Sequence, residues 1–325
     1  MHIAPLVIEN MGKTEQKARA QIVRVGGDDD DRRLDNFLLS RLRGVPRSRI
    51  YRMIRGGEVR VNKGRCKPDR RLIEGDEVRI PPVRTSPTRA PKAGIPGDAA
   101  WIEDRILYED RDLLILNKPS GLAVHGGSGI SAGAIELLRA ARSSSTDLEL
   151  VHRLDRDTSG CLLISKRRPA LRYLHGLFRE GEVQKRYTAL LLGHWKGGSR
   201  TIDEPLLTTR RRGGERHVSV DAAGKSALTR FIPEKVYGPA QLTTVDLGTG
   251  RTHQIRVHAA FIGHPVAGDE RYGFGDDPIA DRYGLRRLFL HASSLAFDSM
   301  DGERVIRADA PLDDQLTEVL ERIDR

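Results

Sequence analysis

The chain has 325 residues, a hydrophobic content of 38%, a charged content of 31% and a formal net charge of +10. No apolar run is long enough to cross a bilayer, and Cys66 and Cys161 are too few and too far apart for a disulfide framework or a CxxC site. The N-terminal residues lack the basic and apolar segments of a secretory signal, so we predict a cytoplasmic protein that is not bound to a membrane.

The first predicted folded unit spans residues 32–80 and carries most of the positive charge. It holds fifteen Lys and Arg residues against six Asp and Glu residues. Residues 34–43 place apolar side chains at helical spacing, and "GVPRSRIYRMIRGG" predicts a second helix that begins after Pro46 and ends at two glycines. The segments "EVRVN" and "DEVRIPP" predict short strands on either side of the basic turn "KGRCK". A positive surplus concentrated in one small unit is typical of a nucleic-acid anchor.

Two segments beside this unit are predicted to lie outside the folded domains. Residues 1–31 form an N-terminal extension that ends in four aspartates, Asp28 to Asp31. We interpret these acids as a solvated cap and not as a metal site, because four adjacent side chains point in different directions. Residues 81–100 contain five prolines, which predicts a semi-rigid linker.

Residues 101–325 predict a second, larger domain of strands and helices. Strands are predicted at "DLLILNKPSG", "CLLISKR", "KRYTALLLG" and "QLTTVDLGTG", and helices at "PALRYLHGLFREG" and "HQIRVHAAFIGH". These elements do not follow the strict strand-helix alternation of a parallel sheet. The pattern therefore favours an α+β domain with a mixed, mostly antiparallel sheet and flanking helices.

The common cofactor and metal motifs do not occur in this sequence. There is no Walker loop, no GxGxxG after a strand and no GxSxG elbow. His253 and His258 are five residues apart, which places them on different faces of the predicted helix and argues against a shared metal ion. We therefore predict a site without cofactor and without metal.

The segment "HRLDRDTSG", residues 152–160, is the strongest candidate for a reactive site. Asp155 lies between two arginines and is followed at once by turn residues, and nearby cations favour the ionised carboxylate. An ordinary surface ion pair is the alternative interpretation. Two further residues favour a site, because Arg251 ends a predicted strand and Tyr187 lies on a strand that leaves a helix.

Four motifs occur in the same order as in the RluA-type pseudouridine synthases, and the chain resembles that family. They are "HRLDRDTSG", "KRYTAL", "GRTHQIRVH" and "HPVAGDERYG", preceded by "DLLILNKPSGLAVH" and followed by "LFLHASSLAF". Residues 32–80 are similar to the S4 RNA-binding domain. The resemblance runs from about residue 20 to the C-terminal helix. It implies a pseudouridine synthase fold for residues 101–325 and a small α/β S4-like domain before it.

The resemblance also implies roles for individual residues of the second domain. Asp155 matches the catalytic aspartate, Tyr187 the active-site tyrosine, and Arg251 the arginine that pairs with the aspartate. Arg153 matches the residue that fills the gap left by a flipped uridine. Ile255 matches an apolar residue that packs against the uracil, although a plain core role is equally open.

In the S4-like domain the resemblance implies contacts with RNA by basic side chains. The predicted RNA-binding residues there are Arg47, Arg49, Arg52, Lys63 and Arg65. Such contacts with phosphates would be independent of sequence and sensitive to salt.

The implied reaction is the isomerisation of specific uridines to pseudouridine in large-subunit ribosomal RNA, either free or in an assembling particle, by a monomeric enzyme. The alternatives are the same chemistry at a transfer RNA position, a non-catalytic RNA-binding assembly factor, and a glycosylase that releases the base. Three routes are open to one carboxylate: attack at C1′, attack at C6 of the base, and a path through a glycal.

Overall fold

The computed structural model describes residues 20–42, 44–83, 99–126, 132–142, 148–210 and 216–325. The chain divides into two compact units, one up to Lys92 and one from Ala93 onward. Residues 1–19 of the predicted extension and 84–98 of the predicted linker lie outside the described residues. Among the helices that are described, none combines the length and the apolar character needed to span a bilayer.

The N-terminal unit is a small α/β domain, as predicted. Its antiparallel sheet has the order β1-β3-β2, and two helices pack their apolar faces on it. The elements are β1 (Gln21–Arg24), α1 (Leu34–Arg41), α2 (Arg47–Arg55), β2 (Arg60–Val61) and β3 (Glu77–Ile80), with a short 3₁₀ helix at Gly27–Asp29. Strand β1 lies in the stretch predicted to be an extension, and it pairs with β3 along its whole length.

The interpretation of the acidic run as a solvated cap is wrong for Asp29. Its carboxylate is buried and accepts hydrogen bonds from Arg32 at 2.7 Å and from Arg41 at 2.8 Å. Asp31 pairs with Arg71 at 2.8 Å. In a unit with so many arginines, these acids serve as ion-pair partners within the fold.

The C-terminal unit contains a ten-stranded sheet with the order β4-β5-β7-β14-β8-β13-β12-β9, while β6 pairs with β7 and β15 with β14. Of these nine described pairings only that of β7 with β14 is parallel, which confirms the predicted mixed, mostly antiparallel sheet. The first strands are β4 (Ile106–Glu109), β5 (Leu113–Lys118), β6 (Glu149–Leu150), β7 (Ser159–Ser165), β8 (Gln184–Leu192) and β9 (Arg200–Asp203). The later ones are β12 (Leu228–Tyr237), β13 (Ala240–Leu247), β14 (Leu290–Asp298) and β15 (Val305–Asp309).

Helices and one hairpin surround this sheet. The hairpin pairs β10 (Leu206–Arg210) with β11 (Arg216–Val220) as a separate two-stranded sheet. The helices are α3 (Ala134–Ala141), α4 (Arg168–Glu180), α5 (Gln254–Phe261), α6 (Pro278–Tyr283) and α7 (Asp314–Asp324), preceded by a 3₁₀ helix at Ala99–Arg105.

The centre of the sheet brings distant motifs together. Strand β14 pairs with β7 on one side and with β8 on the other, although β14 comes late in the chain. At the start of β7, Gly160 has a φ of +105°, and a Cβ there would lie 2.2 Å from the carbonyl oxygen of Ala292. Only glycine allows so close an approach. The "TSG" of the Asp155 motif therefore anchors the turn to β14.

Candidate active site

A cavity of about 90 Å³ in the C-terminal unit is lined by all five residues predicted there. The turn before β7 contributes Arg153 and Asp155, and β8 contributes Tyr187. Arg251 comes from the segment that leads into α5, and Ile255 from the first turn of that helix. The fold thus places three motifs that are far apart in sequence around one small space.

Asp155 presents a partly exposed carboxylate to this cavity, with 18% of its side chain exposed. Its Oδ1 lies 3.8 Å from Nε2 of His253, and its Oδ2 lies 3.9 Å from Nη1 of Arg256. Both distances are too long for hydrogen bonds, so Arg256 acts on the carboxylate through its charge alone and both oxygens are open to a substrate.

A buried lysine supports the turn that carries Asp155. Lys118, at the end of β5, is fully buried, and its ammonium donates to the carbonyl oxygens of Pro119, Leu122 and Arg156 at 2.8–3.0 Å. Burial lowers the pKa of Lys118 to about 7. A further hydrogen bond fixes the side chain of Arg156, whose Nε donates to the carbonyl oxygen of Gly121 at 3.0 Å.

The predicted pairing of Arg251 with Asp155 is not formed in this structure. The Nε of Arg251 donates instead to the carbonyl oxygen of Ser226 at 2.9 Å. The cation that faces Asp155 is Arg256, from the same "GRTHQIR" motif. Arg251 precedes α5 and is directed toward Ser226, whereas Arg256 lies within the helix.

Arg256 is fixed by a second carboxylate. Its Nε donates to Oδ2 of Asp269 at 2.8 Å, and its Nη2 donates to Oδ1 at 2.7 Å. Burial alone would lower the pKa of Arg256, but these hydrogen bonds raise it above its ordinary value. The guanidinium therefore stays charged and keeps one orientation.

His253 is the other close neighbour of Asp155. It has a left-handed backbone with a φ of +54°, immediately before α5 begins. Burial lowers its pKa, although the negative charge of Asp155 acts in the opposite direction. Its Nδ1 lies 2.7 Å from the hydroxyl oxygen of Tyr272. The sequence motifs contained His253, Arg256, Asp269 and Tyr272, yet gave no reason to assign them a role.

Tyr187 and Ile255 form apolar walls of the cavity. Tyr187 is buried, and burial together with the charge of Asp155 raises the pKa of its hydroxyl well above the ordinary value. The phenol is therefore protonated at neutral pH. Ile255 belongs to the hydrophobic core and also lines the cavity, so the two interpretations given for it are compatible.

A wider groove of about 700 Å³ adjoins the cavity and shares Arg153 and Asp155 with it. Its lining includes six arginines and three acidic residues, so it is positively charged on balance. The arginines are Arg153, Arg156, Arg256, Arg271, Arg286 and Arg287. Arg153 is exposed where the two spaces meet.

The basic residues predicted in the N-terminal unit differ in availability. Arg47, Arg52, Lys63 and Arg65 are exposed. Arg49 is engaged in a two-bonded ion pair with Glu58, at 3.2 and 2.9 Å. Part of its charge is therefore already compensated within the fold.

Both units of the chain match known protein families. Residues 112–261 match the RNA pseudouridylate synthase family, and residues 32–78 match the S4 domain family. The ribosomal large subunit pseudouridine synthase C of Yersinia pestis is 50% identical over 302 residues, which cover 92% of this chain and 94% of that protein. The protein of the same name from Salmonella typhi is 51% identical over 314 residues, or 95% of this chain and 98% of its own.

Two solved structures share the fold. Human RNA pseudouridylate synthase domain containing 4 has a TM-score of 0.59 and 24% identity, and covers 70% of this chain and 95% of its own. Human RNA pseudouridylate synthase domain containing 1 has a TM-score of 0.56 and 28% identity. The match covers 66% of this chain and 85% of the human one.

Proposed function

Because this chain belongs to the RNA pseudouridylate synthase family and is about half identical to its ribosomal large-subunit members, we propose that it isomerises specific uridines of large-subunit ribosomal RNA to pseudouridine. The observation that carries the proposal is the single carboxylate of Asp155. It opens into a small cavity and is flanked by the charged guanidinium of Arg256.

The reaction needs one ionised carboxylate beside the sugar and the base. The bond from N1 to C1′ breaks, the base turns, C5 bonds to C1′, a proton leaves C5 and N1 gains one. Asp155 acts on the bound uridine, and the charged guanidinium of Arg256 lies beside its carboxylate. Glycosidases use a second carboxylic acid to protonate the leaving group. Uracil leaves as a delocalised anion, so the reaction can proceed without that second acid.

Tyr187 and Arg251 contact the uridine from the other walls of the cavity. The raised pKa of Tyr187 means that its hydroxyl is neutral when the substrate binds. It can accept the C5 proton only while passing its own proton on, so it acts as a relay and as an apolar platform for the base. Arg251 lines the cavity without pairing with Asp155, which leaves two of its guanidinium nitrogens for the nucleotide.

RNA reaches this cavity through the arginine-lined groove. A stacked uridine hides C1′ and C5, so it must be flipped out at a cost of a few kcal/mol. Arg153 is exposed at the junction of cavity and groove, where it can occupy the vacated stack. The S4 domain adds contacts with RNA phosphates through four exposed basic side chains, those of Arg47, Arg52, Lys63 and Arg65.

The proposal extends to the setting in which the enzyme works. A monomer in the cytoplasm would act on ribosomal RNA, free or in an assembling particle, and would need no cofactor. The domain limits 1–31, 32–80, 81–100 and 101–325 remain predictions, and the pairing of β1 with β3 favours moving the start of the RNA-binding domain to about residue 21.

The test of the substrate is a carbodiimide-based map of pseudouridine in large-subunit rRNA from cells that lack this protein. Complementation with the wild type should restore a few specific sites, and complementation with Asp155→Ala should restore none. If the rRNA map is unchanged and pseudouridine sites are lost from transfer RNA instead, the substrate is a transfer RNA. Restoration by Asp155→Ala would support the non-catalytic assembly factor.

The groove gives a separate prediction about RNA affinity. Arg286 is exposed in the groove and makes no hydrogen bond or ion pair with the described residues. Arg286→Ala should raise the Kd for RNA about three- to tenfold at low salt and reduce the slope of log Kd against log salt by about 1, because one phosphate contact is lost. The rate at saturating enzyme should not change.

Arg282→Ala is the matched control for this measurement. Arg282 is also exposed, lies four residues away on α6 and does not line the groove. Filter-binding titrations at several salt concentrations compare the two variants. Equal affinities and equal salt slopes would exclude the groove as the path of the RNA backbone.

A further inference from the structure

The turn that contains Asp269 and Tyr272 touches both of the groups that face Asp155. We propose that Asp269 and Tyr272 are positioning residues, in which Asp269 directs the Arg256 guanidinium and Tyr272 directs an N–H of His253 toward the carboxylate of Asp155. This inference rests on the catalytic role proposed above for Asp155, and it adds two residues that do not themselves touch the uridine.

Asp269 holds Arg256 by one edge of the guanidinium. The side chain of Asp269 is completely buried, and both of its oxygens accept hydrogen bonds from Nε and Nη2 of Arg256. Its Oδ1 also accepts the backbone N–H groups of Arg271 and Tyr272 at 3.0 and 3.1 Å. The carboxylate cannot rotate without losing these bonds. The remaining nitrogen, Nη1, is therefore the one directed at Asp155.

Tyr272 selects the tautomer of His253. Burial raises the pKa of the Tyr272 hydroxyl, although the positive charges of Arg256 and Arg271 act in the opposite direction, so the hydroxyl keeps its proton at neutral pH. The hydroxyl lies 2.7 Å from Nδ1 of His253 and can donate its proton there, while Nε2 on the other side of the ring faces the carboxylate of Asp155, which only accepts when ionised. An imidazole that accepts at Nδ1 carries its proton on Nε2.

The Nε2 of His253 is the atom that faces Asp155, at 3.8 Å from Oδ1. Burial lowers the pKa of His253, so the ring is neutral at physiological pH and offers a dipolar N–H rather than a second full charge. The charged groups around the ring are Asp155, Arg256, Asp269 and Arg153. The left-handed backbone of His253 stores strain of the kind found at functional sites.

A purely structural link between this turn and α5 is the competing explanation. It predicts that loss of these contacts lowers stability and changes the rate only through unfolding. A positioning role predicts a change in the tautomer of His253 and in the rate of the chemical step, with little change in RNA affinity.

The first test uses Tyr272→Phe, which removes one hydroxyl and keeps the ring packed near Arg256. In the full chain labelled with ¹⁵N-histidine, wild-type His253 should show the Nε2–H tautomer in two-bond ¹H–¹⁵N spectra, and Tyr272→Phe should show a mixture. The single-turnover rate on RNA should fall about tenfold, as expected for one lost hydrogen bond. The Kd for RNA should stay within about twofold of wild type, because no phosphate contact is removed.

The matched control is Tyr173→Phe. The Tyr173 hydroxyl is likewise engaged, since it donates to the carbonyl oxygens of Asp298 and Ser299, and Tyr173 lies outside the cavity and the groove. Tyr173→Phe should leave both the His253 spectrum and the rate unchanged. An Nδ1–H tautomer in the wild type, or no change of spectrum and rate in Tyr272→Phe, would overturn the Tyr272 part of the proposal.

The Asp269 part is tested with Asp269→Asn and Asp269→Glu. The asparagine variant removes the charge, so the single-turnover rate should fall about 100-fold, as expected when a catalytic partner shifts by about 1 Å. Glutamate keeps the charge and should recover part of that loss. A 100-fold loss in both variants accompanied by unfolding in circular dichroism would show a structural role only.

The two proposals fail in different ways. A wild-type protein that forms no pseudouridine in any RNA would refute the proposed function, and the His253 spectrum would still decide the Tyr272 contact. An active wild type whose Tyr272→Phe and Asp269→Asn variants keep the full rate would refute the positioning role alone.

Discussion

Asp155→Asn is expected to lower the single-turnover rate of isomerisation by about 10⁴-fold or more, the loss typical of removing a catalytic nucleophile. Asparagine has nearly the same shape, so the cavity and the turn should persist, but the amide can neither carry the negative charge nor attack. Release of tritium from RNA labelled at C5 of uridine measures the rate, because the proton at C5 is lost in the reaction. RNA affinity should be equal to or slightly higher than that of wild type, since a negative charge is removed beside the groove.

Asp157→Asn is the control, because it makes the same chemical change two residues later in the same turn. Asp157 lines the groove but not the cavity, so its variant should keep nearly the full rate. A rate for Asp155→Asn above about one hundredth of wild type would show that another group performs the chemistry. Free uracil among the products of the wild type would identify a glycosylase in place of an isomerase.

Local sequence patterns predicted the elements of this fold better than their arrangement. The apolar runs of β5 and β7 and the two faces of α4 are local properties, and each was found where the pattern indicated. The insertion of β14 between β7 and β8 depends on contacts more than 100 residues apart in the chain, which periodicity does not report. Strand β1 was missed for the same reason, because its partner β3 lies more than 50 residues later.

Local sequence patterns were also unable to predict which side chains of the site contact each other. The motif "GRTHQIR" offered two arginines, and the resemblance assigned the pairing with Asp155 to the first of them. In the structure Arg256 is the arginine that faces Asp155, because Asp269, thirteen residues later, accepts two hydrogen bonds from its guanidinium and fixes its orientation. Neither spacing nor charge could show which arginine a distant carboxylate would orient. Asp155, Tyr187 and Ile255 line one cavity, because each lies inside a motif whose element was identified correctly, and their roles stay predictions.

Arg256→Lys is expected to reduce the single-turnover rate about 100-fold, although the positive charge is kept. A lysine ammonium cannot give two parallel hydrogen bonds to Asp269 and at the same time present a third donor to Asp155. Asp269 would be left buried with an oxygen that lacks its partner, so the free energy of unfolding should also fall by about 1–3 kcal/mol. Rapid-quench kinetics at saturating enzyme and thermal denaturation measure the two effects separately.

Arg251→Lys provides the decisive comparison, because it makes the same exchange in the same motif. Among the described residues, the Arg251 side chain makes one hydrogen bond, from Nε to the carbonyl oxygen of Ser226, so its replacement should cost less than about tenfold in rate and little stability. If Arg251→Lys instead had the larger effect on the rate, Arg251 would have to move to Asp155 when RNA binds, and the pairing predicted from the sequence would describe the RNA complex. If Arg256→Lys has the larger effect, the pair formed in the free protein is the one that the reaction uses, and the carboxylate is already oriented before the uridine arrives.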